Sequence, residues 1–242
     1  MQKYISRIIK SIKKFDLIDD GDVVVVGVSG GKDSMATAIL LHEISKFYEK
    51  KFRIVAVSLD CTGGKAEKEG LFQKTRNFLE ERGIEFKIIA TDVFEIVFDI
   101  RKEKNPCSLC ANLRRGKLNA AAKEIGATKI ALGHHTDDLI ETFFLSMLYE
   151  GRLNTFLPKT YFSRADITQI RPMIYIKESE IIAFCKKLDI PILDNCCGVN
   201  GKTQRQFIKD ELSGMEKEVP GCKDRIFRAA MQWVDGKKDL NK

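Results

Sequence analysis

The sequence predicts an α/β protein: a doubly wound, parallel, five-stranded sheet with a helix before it and a small helical extension after it. Three observations lead to this prediction. Short runs rich in Val and Ile alternate with longer segments whose apolar residues recur at helical spacing. Runs that are apolar throughout are typical of strands buried on both faces, as in parallel sheets. The chain of 242 residues is long enough for one such domain and a small addition.

The strands are predicted from apolar runs that end at glycine, proline or polar residues. They cover residues 22–28, 52–60, 85–91, 128–135 and 167–173. Amphipathic or apolar helical patterns fill most of the chain between them. These predicted helices cover residues 33–50, 67–83, 112–126 and 136–151. Strands that alternate with helices in this way favour right-handed crossovers and a parallel sheet.

The N-terminal segment, residues 1–20, predicts an amphipathic helix, because basic residues face an apolar stripe. The stripe consists of Ile5, Ile8, Ile9, Ile12 and Phe15. It favours a helix docked on the main domain, and the alternative is that the basic face touches RNA. We expect the main domain at residues 21–193. From residue 194 to residue 242 the pattern becomes helical and more charged, which predicts a C-terminal extension.

The composition excludes a disordered protein, since 44% of the residues are hydrophobic and 31% are charged. Lys and Arg number 41 against 34 Asp and Glu, so the net charge is +7. That excess fits a polyanionic partner and plain solubility equally well. Basic residues interrupt the first 20, so no signal-peptide core is present, and no stretch approaches the roughly 18 apolar residues of a membrane span. We therefore expect a cytoplasmic protein without a membrane partner.

Three polar stretches lie just past predicted strand ends: residues 29–34, Asp60, and residues 133–138. Ligands of open α/β sheets bind beyond the carboxyl ends of the strands, so these stretches are the candidate binding residues.

The stretch SGGKDS, residues 29–34, predicts a phosphate-binding loop. Gly30 and Gly31 let the backbone bend and approach a ligand, and the following helix presents its N–H groups to an anion. Lys32 adds positive charge, and Asp33 indicates a magnesium-assisted site. Hydroxyl donors come from Ser29 and Ser34. The spacing is too short for a Walker A loop, and the alternative is a glycine turn with a capping serine.

The stretch GHHTDD, residues 133–138, ends a predicted strand and opens a helix. Asp137 and Asp138 fall in the first helical turn, where the helix dipole alone favours carboxylates. The two His residues before them indicate a functional site in addition to the start of a helix. The carboxylates are candidates for holding magnesium against a nucleotide, and a His for contacting phosphate or transferring a proton.

Cys107 and Cys110 form a Cys-x-x-Cys pair behind Pro106. The spacing is compatible with a zinc site, a redox dithiol, half of an iron–sulfur site, or two unremarkable thiols. The chain has seven cysteines, which in a cytosolic protein of this size favour metal binding or catalysis over disulfides. Structural or incidental roles are expected for Cys61, Cys185 and Cys222.

Taken together, three stretches resemble the tRNA 2-thiocytidine synthetase branch of the PP-loop ATP pyrophosphatases. They are SGGKDS (29–34), PCSLCANLRRG (106–116) and GHHTDDLIETFF (133–144). Further similarity lies in LPKT (157–160), IRPMIYI (170–176) and CGVNGKTQRQFIKDEL (197–212). The resemblance covers nearly the whole chain. It implies the adenine-nucleotide α-hydrolase (HUP-type) fold.

The resemblance implies that ATP adenylates the C2 oxygen of a tRNA cytidine and that a sulfur species then displaces AMP. It implies Mg²⁺ and a [4Fe–4S] cluster as cofactors. The sulfur donor would be a cysteine desulfurase or sulfide, and a homodimer is one option for assembly. The implied ATP-binding residues are Ser29, Gly30, Gly31, Lys32, Asp33, Ser34, Asp60, Gly133, His134 and Asp138. The implied catalytic residues are Lys32, Cys107, Cys110 and Asp137, and the implied cluster ligands are Cys107, Cys110 and Cys197.

The sequence departs from the family pattern at two places. The family often carries a second Cys-x-x-Cys in the C-terminal region, and here Asp194 occupies its first position, so that Cys196 competes with Cys197 as the third ligand. Thr136 replaces a residue that is often basic in the family, which bears on the choice of tRNA.

Three alternatives stay open at this point. One is a thiolase of the same fold that acts on uridine or uses a cysteine persulfide without a cluster. Another is a non-catalytic, zinc-stabilised module that binds nucleotide and RNA. The third is a PP-loop ligase that acts on a small molecule.

Overall fold

The computed structural model describes residues 1–102, 106–193 and 203–240, with the side chains of residues 237–240 excepted. Its centre is one sheet in the order β3-β2-β1-β4-β6-β5. The strands are β1 Asp22–Gly27, β2 Phe52–Asp60, β3 Glu85–Ala90, β4 Lys129–Ala131, β5 Lys159–Phe162 and β6 Ile167–Ile170. The parallel doubly wound prediction is confirmed for β1, β2, β3, β4 and β6.

The helices before the thiol pair are α1 Gln2–Phe15, α2 Lys32–Ser45, α3 Lys65–Lys68 and α4 Gln73–Glu80, followed by a π-helical turn, Glu95–Arg101. The later helices are α5 Pro106–Glu124, α6 Thr136–Glu150, α7 Glu178–Lys187, α8 Gln204–Glu218 and α9 Cys222–Leu240. Among the described segments, no helix is both long enough and apolar enough to cross a bilayer.

The predicted number of strands is wrong, because the described sheet has six strands rather than five. The additional strand, β5, pairs antiparallel with β6 at the edge of the sheet. Its sequence, KTYF, has no buried apolar run, and Tyr161 is largely exposed. An edge strand that faces solvent needs no such run, so the pattern used to find the parallel strands did not apply.

The valine run of β1 is buried on both faces of the sheet. Val24 and Val26 pack into the larger core beneath α1, α2 and α7, while Val25 packs into a second core with Leu118 of α5. Helices therefore cover both faces of the sheet, as the continuous apolar strands predicted.

Helix α1 is docked through its apolar stripe. Ile8 and Ile12 are fully buried in the larger core, together with Tyr4 and Phe15 at its ends. Helices α8 and α9 pack against α6, and α9 also reaches α1, where Lys14 pairs with Asp235 at 2.8 Å. Because α6 starts at the carboxyl edge of the sheet, the C-terminal helices lie close to that edge.

The strand order reverses direction between β1 and β4. Strands β2 and β3 extend from one side of β1, and β6 and β5 extend from the far side of β4. In doubly wound sheets a reversal of this kind opens a crevice at the carboxyl ends of the two strands. Both sequence stretches that predict phosphate binding, residues 29–34 and 133–138, begin at this crevice.

Replacing Ile8 with Ala should lower the free energy of unfolding by about 2–5 kcal/mol, because it leaves a cavity in the core. Urea denaturation at neutral pH measures the change. Lys13→Ala on the same helix is the matched control, since Lys13 is exposed and pairs with exposed Glu49. Equal stability of the Ile8→Ala and Lys13→Ala variants would contradict the docking of α1.

Candidate active site

The phosphate-loop candidate joins β1 to α2 and is held by its own serines. The Ser29 backbone N–H donates to Ser34 Oγ at 3.1 Å, and Ser34 Oγ donates to the Gly31 carbonyl at 2.9 Å. Gly30 adopts a φ of +82°, and a Cβ there would lie 2.5 Å from Leu193. Glycine is therefore required at this position. The loop directs the first N–H groups of α2 toward the crevice, where they favour an anion.

The loop after β4 touches the phosphate loop directly. A Cβ placed on Gly133 would lie 2.9 Å from the carbonyl carbon of Asp33 and 3.0 Å from the backbone nitrogen of Ser34. Both contacts are to backbone, which has no room to give way. A glycine at residue 133 thus lets the two loops form one surface.

His135 caps α6 and connects the two loops. Its Nδ1 accepts a hydrogen bond from the Asp138 backbone N–H at 3.4 Å, and the Asp138 carboxylate accepts from the His135 backbone N–H at 3.1 Å. Since Nδ1 accepts, a neutral His135 carries its proton on Nε2. That atom lies 3.4 Å from Asp138 Oδ2 and 3.6 Å from Asp33 Oδ1.

Asp33 and Asp138 are the carboxylates that fit a magnesium ion. Both line the cavity described below, and Asp33 Oδ1 is buried without a hydrogen-bond partner among the described residues. Carboxylate oxygens are the ligands that Mg²⁺ prefers, and an unpartnered one beside a phosphate loop fits that use.

Lys32 forms ion pairs with two carboxylates of the protein. Its Nζ lies 3.1 Å from Asp33 Oδ2 and 3.1 Å from Glu178 Oε1. Glu178, the first residue of α7, also accepts from Lys209 of α8 at 2.8 Å. Burial alone would raise the pKa of Glu178, but its bonds to Lys209 and Lys32 outweigh burial and hold that pKa at about 2. Glu178 is therefore a permanent anion that holds the loop lysine.

Asp137 lies beside this network rather than in the cavity wall. Its carboxylate accepts from the Glu178 backbone N–H at 2.8 Å, and Lys223 of α9 approaches it at 3.5 Å. Arg205 of α8 lies 3.0 Å from Glu141 and 3.7 Å from Asp138. The C-terminal helices thus supply cations to the acidic groups at the start of α6.

A cavity of about 460 Å³ opens at the crevice. The phosphate loop and the loop after β4 form its floor, and one side of α5 forms a wall. Its polar and charged lining consists of Ser29, Asp33, Ser34, Arg114, Arg115, His134, Asp138 and Gln169. Arg114 and Arg115 carry positive charge to the side of the cavity opposite the loop.

Cys107 and Cys110 lie in the first turn of α5, immediately before Ala111, which lines the cavity. Cys107 is exposed and Cys110 is half-buried against an apolar group that includes Cys61 and Val97. Residues three apart on a helix share a face, so the two thiols fit adjacent ligation of one metal cluster.

Cys197 and its competitor Cys196 lie outside the described residues, and so does Asp194. Within the part of the chain that is described, no three His, Cys, Asp or Glu side chains are arranged to hold a metal ion. The third cluster ligand therefore stays a prediction.

His134 points away from α6 toward the side of the cavity. Its ring lies 4.9 Å from the ring of Phe156, and its Nδ1 is buried without a partner among the described residues. Burial, followed by the nearby charge of Arg171, lowers the pKa of His134 to about 4. The ring is neutral at neutral pH and is suited to hydrogen bonding rather than to neutralising phosphate charge.

Asp60, predicted to bind nucleotide, lies at the end of β2. Its carboxylate accepts hydrogen bonds from the segment that directly follows the strand. It accepts from the backbone N–H and the hydroxyl of Thr62 and from the Glu67 backbone N–H at the start of α3. Burial would raise the pKa of Asp60, but these bonds lower it overall. The structure thus gives Asp60 a part in shaping the crevice, and its contact with a nucleotide stays a prediction.

The sequence did not indicate Glu178, Gln169 or the cavity position of Arg114 and Arg115. Glu178 is 146 residues from Lys32 along the chain, so no local pattern connects them. The sequence shows Arg114 and Arg115 only as a basic pair after the thiols, and no local pattern places that pair in a cavity.

Comparisons with known proteins agree with this site. Residues 1–215 match the family model described as a PP-loop domain, so the chain belongs to the PP-loop family. The tRNA-cytidine(32) 2-sulfurtransferase of Marinomonas sp. (strain MWYL1) is 42% identical over 97% of this chain and 84% of that protein. The protein of that name from Vibrio vulnificus (strain YJ016) is 41% identical over 93% of this chain and 72% of its own length. Within the PP-loop family, the chain groups with these 2-sulfurtransferases, which confirms the resemblance seen in the sequence.

A solved structure also matches. The U34-tRNA thiolase NcsA from Methanococcus maripaludis, determined with its [4Fe-4S] cluster, superposes with a TM-score of 0.77 at 25% identity. The match covers 97% of this chain and 79% of that one.

Replacing Gly133 with Ala should weaken ATP binding about tenfold or more, because strain of ~1–3 kcal/mol would push the two loops apart. Isothermal titration calorimetry with ATP measures the effect. Gly214→Ala is the matched control, since a Cβ at that helical position meets open space and Ala favours a helix. Unchanged ATP affinity in Gly133→Ala would show that the contact does not shape the site.

Proposed function

We propose that this protein is an ATP-dependent tRNA-cytidine 2-sulfurtransferase. It adenylates the C2 oxygen of a cytidine in tRNA, releases pyrophosphate, and then replaces the activated oxygen with sulfur as AMP leaves. One observation carries the proposal: a single cavity is lined by the phosphate loop and by the helix whose first turn holds Cys107 and Cys110. Activation and sulfur transfer require such proximity.

The phosphate loop binds and orients ATP. The N–H groups at the start of α2 face the phosphates, and Lys32 exchanges its contact with Glu178 for a phosphate oxygen. Burial would lower the pKa of Lys32, but Asp33 and Glu178 raise it, so the amine stays protonated. The positive charge then offsets the charge that develops on the leaving pyrophosphate.

Asp33 and Asp138 are the residues that would hold Mg²⁺ beside those phosphates. Both carboxylates line the cavity at the loop contact, where His135 Nε2 faces them. The role predicted for Asp137 becomes one of positioning, since Asp137 binds the backbone of Glu178. Gly133 and His134 complete the predicted nucleotide-binding set.

Cys107 and Cys110 would hold the [4Fe–4S] cluster with Cys197 as the third ligand. When bound, such a cluster supplies an iron position that presents sulfur to the activated carbon. The two thiols would hold it at the start of α5, the helix that lines the cavity with Ala111, Arg114 and Arg115. Arg114 and Arg115, one turn further along α5, supply positive charge that favours a polyanionic substrate.

The relatives support cytidine 32 of tRNA as the target, because the two reported above carry that nucleotide in their names. The U34-tRNA thiolase supports a second candidate, a uridine substrate, and its title supports the cluster. Identities of 42% against 25% favour cytidine. We also propose a cytoplasmic location, a homodimer, and a cysteine desulfurase or sulfide as sulfur donor. Residues 21–193 would carry the chemistry, flanked by the N-terminal helix and by the extension from residue 194 onward.

Mass spectrometry of tRNA nucleosides from a deletion strain tests the proposal. Loss of 2-thiocytidine, restored by the wild-type gene, is the expected result. The Lys32→Ala gene should restore about 1% or less, because removing a charged group at the reacting phosphates typically costs 10²–10³ in rate. Arg53→Lys, at the far end of β2, is the control and should restore fully. Loss of 2-thiouridine with intact 2-thiocytidine would support the uridine candidate instead.

Replacing Cys107 or Cys110 with Ser should abolish thiolation and leave tRNA-dependent ATP–pyrophosphate exchange intact, because adenylation does not use the thiols. Both reactions are measured on the same purified variant. Cys222→Ser is the matched control, since Cys222 contacts Glu216 away from the cavity. Full thiolation by either thiol variant would contradict a role of the two thiols in sulfur transfer. Loss of both ATP–pyrophosphate exchange and thiolation would contradict the separation of adenylation from sulfur transfer.

A further inference from the structure

A second cavity, of about 530 Å³, lies beside the first. It is formed by the segment after α6, by the start of β5 and by α9. Its lining consists of Arg152, Leu153, Asn154, Thr155, Phe156, Leu157, Thr160, Arg171 and Trp233. Phe156 is also the ring against which His134 packs, and His134 lines the first cavity. The two cavities thus share a wall.

Arg171 is the buried cation of this second cavity, with 8% of its surface exposed. Its Nη1 donates to the Leu157 carbonyl at 2.7 Å and to Thr160 Oγ1 at 3.3 Å. Its Nε is buried and has no hydrogen-bond partner among the described residues. Within the same residues, no carboxylate lies within ion-pair distance of the guanidinium.

A buried guanidinium without a counter-charge is costly, and a buried N–H without an acceptor adds to that cost. An anion in the cavity would relieve both. Guanidinium groups bind phosphate through paired hydrogen bonds, so a phosphate is the anion that suits Arg171. Burial, followed by the charge of Arg115, lowers the pKa of Arg171 to about 10, which still leaves the group protonated at neutral pH.

Aromatic and polar side chains accompany the cation. Trp233 lies in the lining beside Phe156, which Arg171 covers at 5.1 Å from the ring centroid. Arg152 at the rim is largely exposed and pairs with Glu150 at 2.7 Å, so Arg171 is the cation of the lining that lacks a carboxylate partner among the described residues. Aromatic faces stack on nucleic-acid bases with little sequence preference, and a basic group such as Arg171 contacts the phosphate backbone. Phosphate recognition and base stacking together describe a nucleotide.

We propose that the second cavity binds one unpaired nucleotide of the RNA substrate, with its phosphate on Arg171 and its base against Trp233. This inference rests on the proposed function, because it places a neighbour of the reacting cytidine next to the ATP cavity. ATP itself is the lesser candidate, since the phosphate loop lies in the other cavity. Holding a neighbouring nucleotide here would keep the target base out of its stack and near the phosphate loop.

Trp233 is the single tryptophan of the chain, so its fluorescence reports on this cavity. The probes are an unmodified tRNA transcript, a short single-stranded oligoribonucleotide, AMP and inorganic phosphate. We expect saturable fluorescence quenching with the tRNA and the oligoribonucleotide, and weaker quenching with AMP and with inorganic phosphate at similar concentrations.

Arg171→Lys keeps the charge and removes the planar fork. It should weaken the quenching titration and raise KM for tRNA about tenfold, because Lys cannot form the paired hydrogen bonds that a guanidinium makes with phosphate. KM for ATP should not change. Arg164→Lys is the matched control, because Arg164 is exposed in the turn between β5 and β6, and it should behave as wild type. Circular dichroism shows whether each variant is folded.

Three results would overturn the inference. The first is tRNA binding in a filter assay with no change in wild-type Trp233 fluorescence, a result that does not depend on any variant folding. The second is an unchanged KM for tRNA in folded Arg171→Lys. The third is tighter quenching by AMP or inorganic phosphate than by the oligoribonucleotide. These three results concern the second cavity and do not contradict the proposed function if the wild-type protein thiolates tRNA. Failure of the wild-type protein to thiolate tRNA would contradict the proposed function itself.

Discussion

The contact between two backbones at the carboxyl edge of the sheet is the constraint on which the site depends. Gly133 lies against Asp33 and Ser34 so closely that a single methyl group would overlap the main chain. The contact occurs where the strand order reverses, between β1 and β4, so the sheet itself brings the two loops together. Glycine then lets them merge. The glycine-rich start of α2 and the acidic start of α6 become one surface because of this contact, and His135 Nε2 lies beside a carboxylate of each, 3.6 Å from Asp33 and 3.4 Å from Asp138.

Charge is balanced at this surface by elements far apart in sequence. Carboxylates at the starts of α6 and α7 would repel a polyanion if they were left alone. Lys209, Arg205 and Lys223 from α8 and α9 lie within 4 Å of them. The C-terminal helices therefore contribute to the electrostatics of the crevice as well as to packing on α6. Their cations offset negative charge that would otherwise repel ATP and RNA from the crevice.

Local patterns predicted the parts of the molecule that are local. The valine strand, the phosphate loop and the first turn of α6 each lie within a dozen residues, and each formed as expected. Strand β5 escaped prediction because an exposed edge strand needs no apolar run. The role of Glu178 escaped because its lysine partners lie on other elements. Asp60 was placed correctly at a strand end, but no pattern revealed that Thr62 and Glu67 would occupy its carboxylate.

Glu178 holds two lysines that belong to different parts of the protein, one on the phosphate loop and one on α8. A carboxylate shared in this way couples the two lysines, because each one offsets part of the negative charge that attracts the other. By thermodynamic reciprocity, a phosphate that draws Lys32 away leaves Glu178 to Lys209 alone and tightens α8 against α7. A polyanion that draws Lys209 away has the opposite effect, because Glu178 then holds Lys32 more firmly. Ligand binding in the crevice and the packing of α8 against α7 are therefore coupled through one side chain, that of Glu178.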